Sequence, residues 1–379
     1  MKVLFIDQIS SVNWKYSFSL VNALHDENVD VVLATDFSSD NAFCKCKTIR
    51  LFNTDDKKTN KINKLLNYIK AYKSIIKYVK ENKIDIVHLE WITFSPIDYK
   101  YIKKLRKYCK VVMTIHDIIA FDSHFYDKIF YKKIYQLPDS IILQTEENQK
   151  KFSKLFPKVD PKKIHMCYHG NFLDFTQTHE MEESRQKLAL PKDAFIYLFF
   201  GQIKAVKGVD LLIKAFSEVA KNHADVYLVI AGNVWHNDFK PYMDLIINLG
   251  LQSRIRADIK FISDEDVGYY FSSANIVCLP YTELFQSGVV QLSYSYKKPA
   301  IVSNLPAFLT VVEKNKSGFV FKTGDYEDLA VQMEQAYKNQ SNLDKMGMSG
   351  YNFIKEKYSW KKIANQISVI YRDLLEDKQ

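Results

Sequence analysis

One segment of the chain places glycines and lysines directly after an apolar, strand-like run. Gly201–Gly208 follows Phe195–Phe200 and carries Lys207, with Lys204 nearby. A lysine at the beginning of a helix adds its charge to the positive end of the helix dipole, and glycine lets a ligand approach the backbone closely. This combination favours a phosphate group. A lysine before a glycine also occurs in ordinary turns, and the P-loop spacing is absent.

A second segment of this kind follows the apolar run Ile276–Leu279. There Gln286, Ser287 and Gly288 are expected to present backbone N–H groups at the beginning of the next helix. Glu283 would stand beside this anion site. A carboxylate repels phosphate but accepts hydrogen bonds from sugar hydroxyls, so the pattern suits a sugar phosphate. The structural alternative is a solvated acid in a loop.

Polar residues also follow strand-like runs in the first half of the chain. His116 comes directly after Val111–Ile115, where it is expected to face a ligand or to cap the following turn. Ser10, Ser11 and Glu90 are weaker candidates of the same type.

The elements that must position these residues form two alternating series. Apolar strands separated by helices predict parallel sheets covered on both faces, and the pattern stops at a polar stretch and then begins again. The fold class is therefore α/β, with two doubly wound domains and a ligand expected in the cleft between them. The predicted strands are Val3–Ile6, Val29–Ala34, Ile84–Leu89, Val111–Ile115, Ser140–Gln144, Ile164–Tyr168, Phe195–Phe200, Val226–Ala231, Ile259–Ile262, Ile276–Leu279 and Ala300–Ser303.

The predicted organisation has four parts. Residues 1–175 form the first Rossmann-like domain, 176–192 a linker, and 193–358 the second Rossmann-like domain. Residues 359–379 form a C-terminal helix that we expect to pack back toward the first domain. The first helix is expected to begin near Ser17.

Composition excludes several classes of protein. The 379 residues suffice for two domains of about 150 residues each. A 47% apolar and 26% charged composition is that of a globular protein. No run approaches the roughly 20 apolar residues of a membrane span, and the N-terminus lacks a signal-peptide pattern, so we expect a cytoplasmic protein. Five scattered cysteines support neither a disulfide framework nor a zinc site.

Positive charge is concentrated in the first half of the chain. Residues 1–170 contain 29 Lys and Arg against 19 Asp and Glu, a net charge of +10, whereas the remainder has −1. Much of the excess lies in Lys61–Lys83, where apolar and lysine positions alternate at helical spacing. No nucleic-acid-binding signature is present. The segment is either a solvated surface helix or a helix that lies on the inner face of the cell membrane.

The order of these features resembles the retaining glycosyltransferases of family four, which have the GT-B fold. That family carries Gly-Arg-x4-Lys-Gly, and this chain has Gly201-Gln202-x4-Lys207-Gly208. Similar features follow at Ile230–Asn233, Lys298–Val302 and Ser317–Phe319, and Tyr358–Trp360 precedes a final helix.

The resemblance implies transfer of a sugar, with retention and without a metal, from a nucleoside diphosphate sugar to a glycan or lipid-linked acceptor. A UDP- or GDP-sugar donor, no further cofactor and a role in cell-surface polysaccharide synthesis are expected. The implied catalytic residues are His116, Lys207 and Glu283, and Ser10, Ser11 and Glu90 would lie on the acceptor side. The implied donor-binding residues are Gly201, Gln202, Lys207, Gly232, Ile262, Glu283, Gln286, Ser287, Gly288 and Gln291.

The chain departs from the family pattern at three places. Gln202 replaces the arginine that would contact the diphosphate. The second acid of the family's Glu-x7-Glu motif is Gln291, or Leu292 if the alignment is anchored on Pro299. Gln8–Ser11 replaces a glycine pair. Two alternatives therefore stay open, namely an epimerase or phosphorylase of the same fold, and a binding partner with weakened catalysis.

Overall fold

The computed structural model describes residues 1–36, 44–51, 61–119, 125–235, 238–284 and 288–376 and divides into two compact units. Unit 1 comprises Met1–Gly170 with Tyr358–Gln379, and unit 2 comprises Asn171–Lys357. Both units alternate strands and helices, as the predicted α/β class requires.

Within the described residues the strands are β1 (Lys2–Ile6), β2 (Asp30–Thr35), β3 (Lys47–Arg50), β4 (Ile86–Leu89), β5 (Lys110–Ile115), β6 (Ser140–Leu143), β7 (Ile164–Met166), β8 (Phe195–Phe200), β9 (Val226–Ala231), β10 (Ile255–Asp258), β11 (Ile276–Leu279), β12 (Ala300–Ser303) and β13 (Gly318–Phe321). The helices are α1 (Ser10–Asp26), α2 (Lys61–Asn82), α3 (Ser95–Leu105), α4 (Phe125–Ile134), α5 (Glu146–Leu155), α6 (Met181–Lys187), α7 (Val209–Asn222), α8 (Lys240–Asn248), α9 (Asp264–Ser273), α10 (Gly288–Ser295), α11 (Pro306–Leu309), α12 (Tyr326–Lys338), α13 (Leu343–Lys357) and α14 (Trp360–Glu376). Four short 3-10 turns accompany them in the same ranges.

Unit 1 is built on a parallel sheet with the strand order β3-β2-β1-β4-β5-β6-β7 among the described residues. Successive strands are added toward one edge of the sheet from β1 to β3 and toward the other edge from β4 to β7. The boundary between β1 and β4 is therefore the topological switch point, where ligands bind in open α/β sheets. The central strands are completely buried because helices cover both faces, which explains their continuous apolar sequences.

The C-terminal helix α14 belongs to the core of unit 1. It packs beside α1, and its Ile363, Ala364 and Ile367 share a core cluster with Val3 and Phe5 of β1. This packing explains why an apolar face recurs in the last residues of the chain.

Unit 2 repeats the architecture with the order β10-β9-β8-β11-β12-β13, again parallel throughout the described strands. Its switch point lies between β8 and β11. The two sheets therefore confirm the predicted pair of Rossmann-like doubly wound domains.

Several predicted elements differ from the structure. The strand expected at Ile259–Ile262 is wrong, because β10 lies at Ile255–Asp258 and Phe261 is 80% exposed. β10 is an edge strand with only half-buried residues, so its sequence alternates with polar side chains and lacks an apolar run. The same reason explains why β3, also at an edge, was not predicted. Helix α1 begins at Ser10, earlier than expected.

The segment 176–192, expected to be a linker, folds as part of unit 2. It contains α6, which packs against α9. The buried Arg185 donates to the Ser273 carbonyl oxygen at 3.1 Å and to Asn275 Oδ1 at 2.9 Å, and the His179 N–H donates to Ser272 Oγ. Arg185 thus joins this polar stretch to α9 and to the turn before β11, which sequence polarity alone did not indicate.

No helix in the described part of the chain is both long enough and apolar enough to cross a membrane.

Candidate functional site

Two loops meet at the switch point of unit 2. The turn Gly201–Gly208 leaves β8, and the segment after β11 begins at Pro280. The Thr282 N–H donates to the Val206 carbonyl oxygen at 2.9 Å and joins them. Gly208 has a φ of +64°, and a side chain there would overlap the Pro280 carbonyl oxygen. Glycine is required at this position because the two backbones touch.

Lys207 lies where these loops join. Its Nζ stands 3.6 Å from the centre of the Tyr281 ring, which is 1% exposed and forms a cation–π contact with it. Burial, and after it the charge of the neighbouring Lys204, lower the pKa of Lys207 from 10.5 to about 8. No acidic side chain among the described residues pairs with this ammonium group. An anion bound at this edge would therefore stabilise the charged form of Lys207, which burial disfavours.

The loop after β9 lies beside the turn that follows β8. Gly232, with a φ of +145°, lies so close to Gly201 that a side chain there would overlap the Gly201 carbonyl oxygen. The Ile203 N–H donates to the Asn233 carbonyl oxygen at 2.9 Å, and Lys204 Nζ lies 4.8 Å from the Trp235 ring. Gly232 thus supports the glycine turn of β8 through the backbone.

The other expected donor residues occupy different positions around this edge. Glu283 is exposed on the loop after β11 and directly follows Thr282, which bonds to Val206, and Gln202 is half-buried. Ile262 is buried in the turn before α9, and Gly288 is the first residue of α10. Gln286 and Ser287 lie outside the described residues.

Gln291 is the buried polar residue of α10. It is 5% exposed, and its Oε1 has no hydrogen-bond partner among the described residues. A buried amide oxygen without a partner costs on the order of 1–3 kcal/mol, so a ligand hydroxyl that reaches it would be stabilised. Leu292, the alternative match to the family's second acid, is half-buried and cannot offer such a bond.

A second set of polar residues lies at the switch point of unit 1. The register pairs Ile6 with Leu89, so the next residues, Asp7 and Glu90, leave β1 and β4 side by side. Both carboxyl groups are buried, and the Ser17 hydroxyl lies 2.5 Å from Asp7 Oδ2 and 2.8 Å from Glu90 Oε2.

This arrangement requires a proton on one of the two carboxyl groups. The Ser17 hydroxyl has one proton and can donate to one carboxylate only, so the other contact must be donated by a protonated acid. Burial, and then the charge of Glu90, raise the pKa of Asp7 to about 7. We therefore expect Asp7 to hold the proton, so that the Ser17 hydroxyl donates to Glu90 Oε2.

His116 lies beside this pair at the end of β5. Its Nε2 is 3.5 Å from Glu90 Oε1, and its ring stacks on Trp91 with centroids 4.6 Å apart. Burial lowers the pKa of His116 to about 4, although Asp7 and Asp117 act in the opposite direction. The imidazole is therefore neutral at neutral pH. A cavity of about 50 Å³ lies against it, which has room for a water molecule or a hydroxyl group.

Sequence reasoning missed two residues of this cluster. Asp7 and Ser17 were not selected, although an acid directly after a buried strand was the available signal. Glu90 was expected as an acceptor contact, and the structure places its side chain, which has no exposed surface, against Ser17 and His116. Ser10 and Ser11 begin α1, but their side chains lie outside the described part of the structure.

The sequence matches two glycosyltransferase families. The profile of the glycosyl transferases group 1 matches residues 180–353, and that of the glycosyl transferase 4-like family matches residues 2–144. Together they cover most of both units.

Individual relatives are distant. The chain is 22% identical to a D-inositol 3-phosphate glycosyltransferase from a Nocardioides species, over 64% of this chain and 55% of that protein. It is 23% identical to the capsular polysaccharide biosynthesis glycosyltransferase CapM of Staphylococcus aureus, over 53% of this chain and 51% of that protein. The alignments thus span about half the length of these relatives.

A solved structure extends the similarity to the whole fold. Anabaena HepE, crystallised in complex with UDP-glucose, superimposes with a TM-score of 0.75 at 16% identity, over 98% of this chain and 100% of that one. With two Rossmann-like units and family matches in each, the chain belongs to the group 1 glycosyltransferases.

Proposed function

We propose that the protein transfers a sugar from a nucleoside diphosphate sugar, a UDP- or GDP-sugar, to a glycan or lipid-linked acceptor, with retention of configuration and without a metal. The observation that carries this proposal is the half-buried Lys207, which lies where the glycine turn after β8 meets the segment after β11 at the switch point of unit 2. UDP-glucose in the structure of HepE supports the donor class.

Departure of the diphosphate is the step that this lysine would assist. Negative charge develops on the leaving phosphate as the bond to the anomeric carbon breaks, and a preorganised cation lowers that barrier. Because the leaving phosphate can accept the proton of the acceptor hydroxyl on the same face, no protein base is needed. Lys207 would supply the charge that other transferases obtain from a metal.

Sugar hydroxyls are the proposed partners of two further groups. Glu283 is exposed and carries an acceptor-only carboxylate, which suits hydroxyl donors. At the edge of the first sheet, the neutral imidazole of His116 can donate or accept one hydrogen bond beside the cavity. The similarity to CapM, a glycosyltransferase of capsular polysaccharide biosynthesis, supports a role in polysaccharide synthesis at the cell surface.

A ligand screen with an activity assay tests this proposal. UDP or GDP should raise the midpoint of thermal unfolding, since a ligand at 100 times its Kd stabilises the native state by about 2.7 kcal/mol. Slow hydrolysis of the matching nucleotide sugar should continue in the presence of EDTA. Absence of stabilisation by every nucleoside diphosphate would contradict the donor class, and loss of turnover in EDTA would contradict metal independence.

Replacement of Glu283 by glutamine should impair use of the sugar donor and leave binding of the nucleotide unchanged. Loss of a charge-assisted hydrogen bond costs about 1.5–3 kcal/mol, so kcat/KM for the donor should fall roughly 10-fold to 100-fold. Calorimetric titration of the Glu283→Gln variant with UDP or GDP should give the same Kd as titration of the wild type.

Glu327→Gln is the matched control, because Glu327 is an exposed acid of unit 2 on α12. An equal loss of nucleotide affinity in Glu283→Gln would place this carboxylate at the nucleotide and not at the sugar.

We also propose a cytoplasmic location with peripheral association at the inner face of the cell membrane. Sequence periodicity grouped the apolar residues of α2 on one face, but the structure separates them. Ile76 and Val79 are buried in unit 1, whereas Ile62 is 69% exposed, and Leu65 and Leu66 are also exposed. Apolar side chains at the surface of a lysine-rich helix suit the interface of an anionic bilayer.

Vesicle sedimentation tests this association. Each lysine near an anionic surface contributes roughly 1 kcal/mol, so the protein should pellet with anionic vesicles at low salt and be released at high salt. The triple variant Lys70→Glu, Lys73→Glu, Lys77→Glu should stay in the supernatant with unchanged donor hydrolysis. The matched control reverses the exposed lysines Lys314, Lys316 and Lys322 of unit 2. Wild-type protein that fails to pellet at low salt would exclude the membrane association.

A further inference from the structure

Cys44 and Cys46 form a close pair of thiols in unit 1 and belong to neither of the polar sites described above. They stand two residues apart at the entry to the edge strand β3, and their sulfur atoms are 3.2 Å apart. Both cysteine side chains are half-buried whereas Lys45 between them is exposed, so the two sulfurs lie on the same side of the chain.

The residue between the cysteines holds this pair in place. The Lys45 N–H donates to Asn22 Oδ1 at 2.7 Å, and Lys45 Nζ forms an ion pair with Asp26 at 2.7 Å. Both contacts join Lys45 to α1. The two thiols pack on the other side, against the core cluster that α1 forms with β1 and α14.

The two sulfurs are chemically different. The hydrogen bond donated by Cys46 lowers the pKa of the Cys44 thiol to about 7, and the same contact raises the pKa of Cys46. Both side chains are half-buried, so a small reagent can reach them. The other three cysteines, Cys109, Cys167 and Cys278, are buried.

We propose that Cys44 and Cys46 are a reversible modification site that closes to a disulfide by exchange with a low-molecular-weight disulfide. The Cys44 thiolate attacks one sulfur of that disulfide, forms a mixed disulfide and releases a thiolate. Cys46 then loses its proton, attacks the Cys44 sulfur and releases the second thiolate. The protein loses two protons and two electrons, and the reagent takes them up and is reduced to two thiols.

Neighbouring sulfurs favour the second step. Closure needs a sulfur–sulfur distance of about 2.05 Å, so the two atoms must move together by only about 1.1 Å. A low-pKa thiol beside a second thiol is the arrangement found in reversible redox sites. This site is independent of the glycosyltransferase function proposed above.

Incubation with glutathione and glutathione disulfide tests the proposal on the full chain. Intact mass after acid quenching should show loss of two hydrogens in the wild type, with the bond mapped to Cys44 and Cys46. Cys46→Ser should stop at the mixed disulfide with one glutathione on Cys44. Cys109→Ser, which removes a buried thiol, should behave like the wild type.

A second measurement uses the wild type alone and does not depend on folding of a variant. The rate of alkylation of Cys44 by iodoacetamide should rise with pH around a midpoint of about 7. A wild type that accumulates the glutathione adduct without closing, or that does not react, would overturn the proposal. A midpoint at the ordinary thiol value of about 8.5 would overturn the assignment of Cys44 as the attacking group.

Discussion

Lys207→Ala should lower turnover of the nucleotide sugar by about 10²-fold or more. The ammonium group lies at the switch point of unit 2, and removal of one preorganised charge from a developing anion typically has an effect of this size. The loss should appear in kcat, measured with saturating donor, because the charge on the phosphate increases as the bond breaks. Turnover that equals the wild type under these conditions would exclude Lys207 from the mechanism.

The pH dependence of UDP or GDP binding provides a control for this effect. Since the pKa of Lys207 lies at about 8, the free protein loses the charge as pH rises through that value. The Kd measured by calorimetry should then increase, approaching tenfold per pH unit. Lys207→Arg keeps its charge throughout this range and should remove the pH dependence. The same slope in Lys207→Arg would show that another group titrates.

Asp7→Asn should stabilise the protein at neutral and alkaline pH by roughly 4 kcal/mol, with little effect near pH 4. The folded-state pKa of Asp7 is raised from 3.8 to about 7, so the folded protein binds this proton more tightly than the unfolded chain. The stabilisation from that proton is complete at low pH and is lost as pH rises through the folded-state value. Asparagine has the shape of the protonated acid and can donate to Ser17 at every pH.

Denaturant unfolding of both proteins between about pH 4 and 8 measures this difference. Other buried acids contribute equally to the pH dependence of both proteins, so their contributions cancel in the difference. Asp98, whose pKa burial raises to about 6, is one of these acids. Asp30→Asn, at an exposed acid of the neighbouring β2, should leave the pH profile unchanged. A constant difference between Asp7→Asn and wild type across this range would show that Asp7 does not hold the proton.

The sequence by itself determined the sheet core and one of the two polar sites. β8, β9, β11 and β12 have the bounds that their apolar runs predicted, because strands covered on both faces must be apolar throughout. The sequence also predicted that Lys207 lies in a loop after β8. A glycine turn that follows a buried strand is a local signal, and the residues that make it are adjacent in the chain.

Only the tertiary structure decided the features that depend on pairing distant segments. Edge strands such as β10 pair with one neighbouring strand and need no apolar run, so hydrophobic periodicity did not predict their positions. The proton shared around Ser17 requires Asp7 and Glu90 side by side, which the β1–β4 register alone establishes across 83 residues. Burial then shifts the pKa of Asp7, and burial is a property of the packed fold. The sequence specifies which residues are acids, but their protonation depends on the positions that the folded sheet gives them.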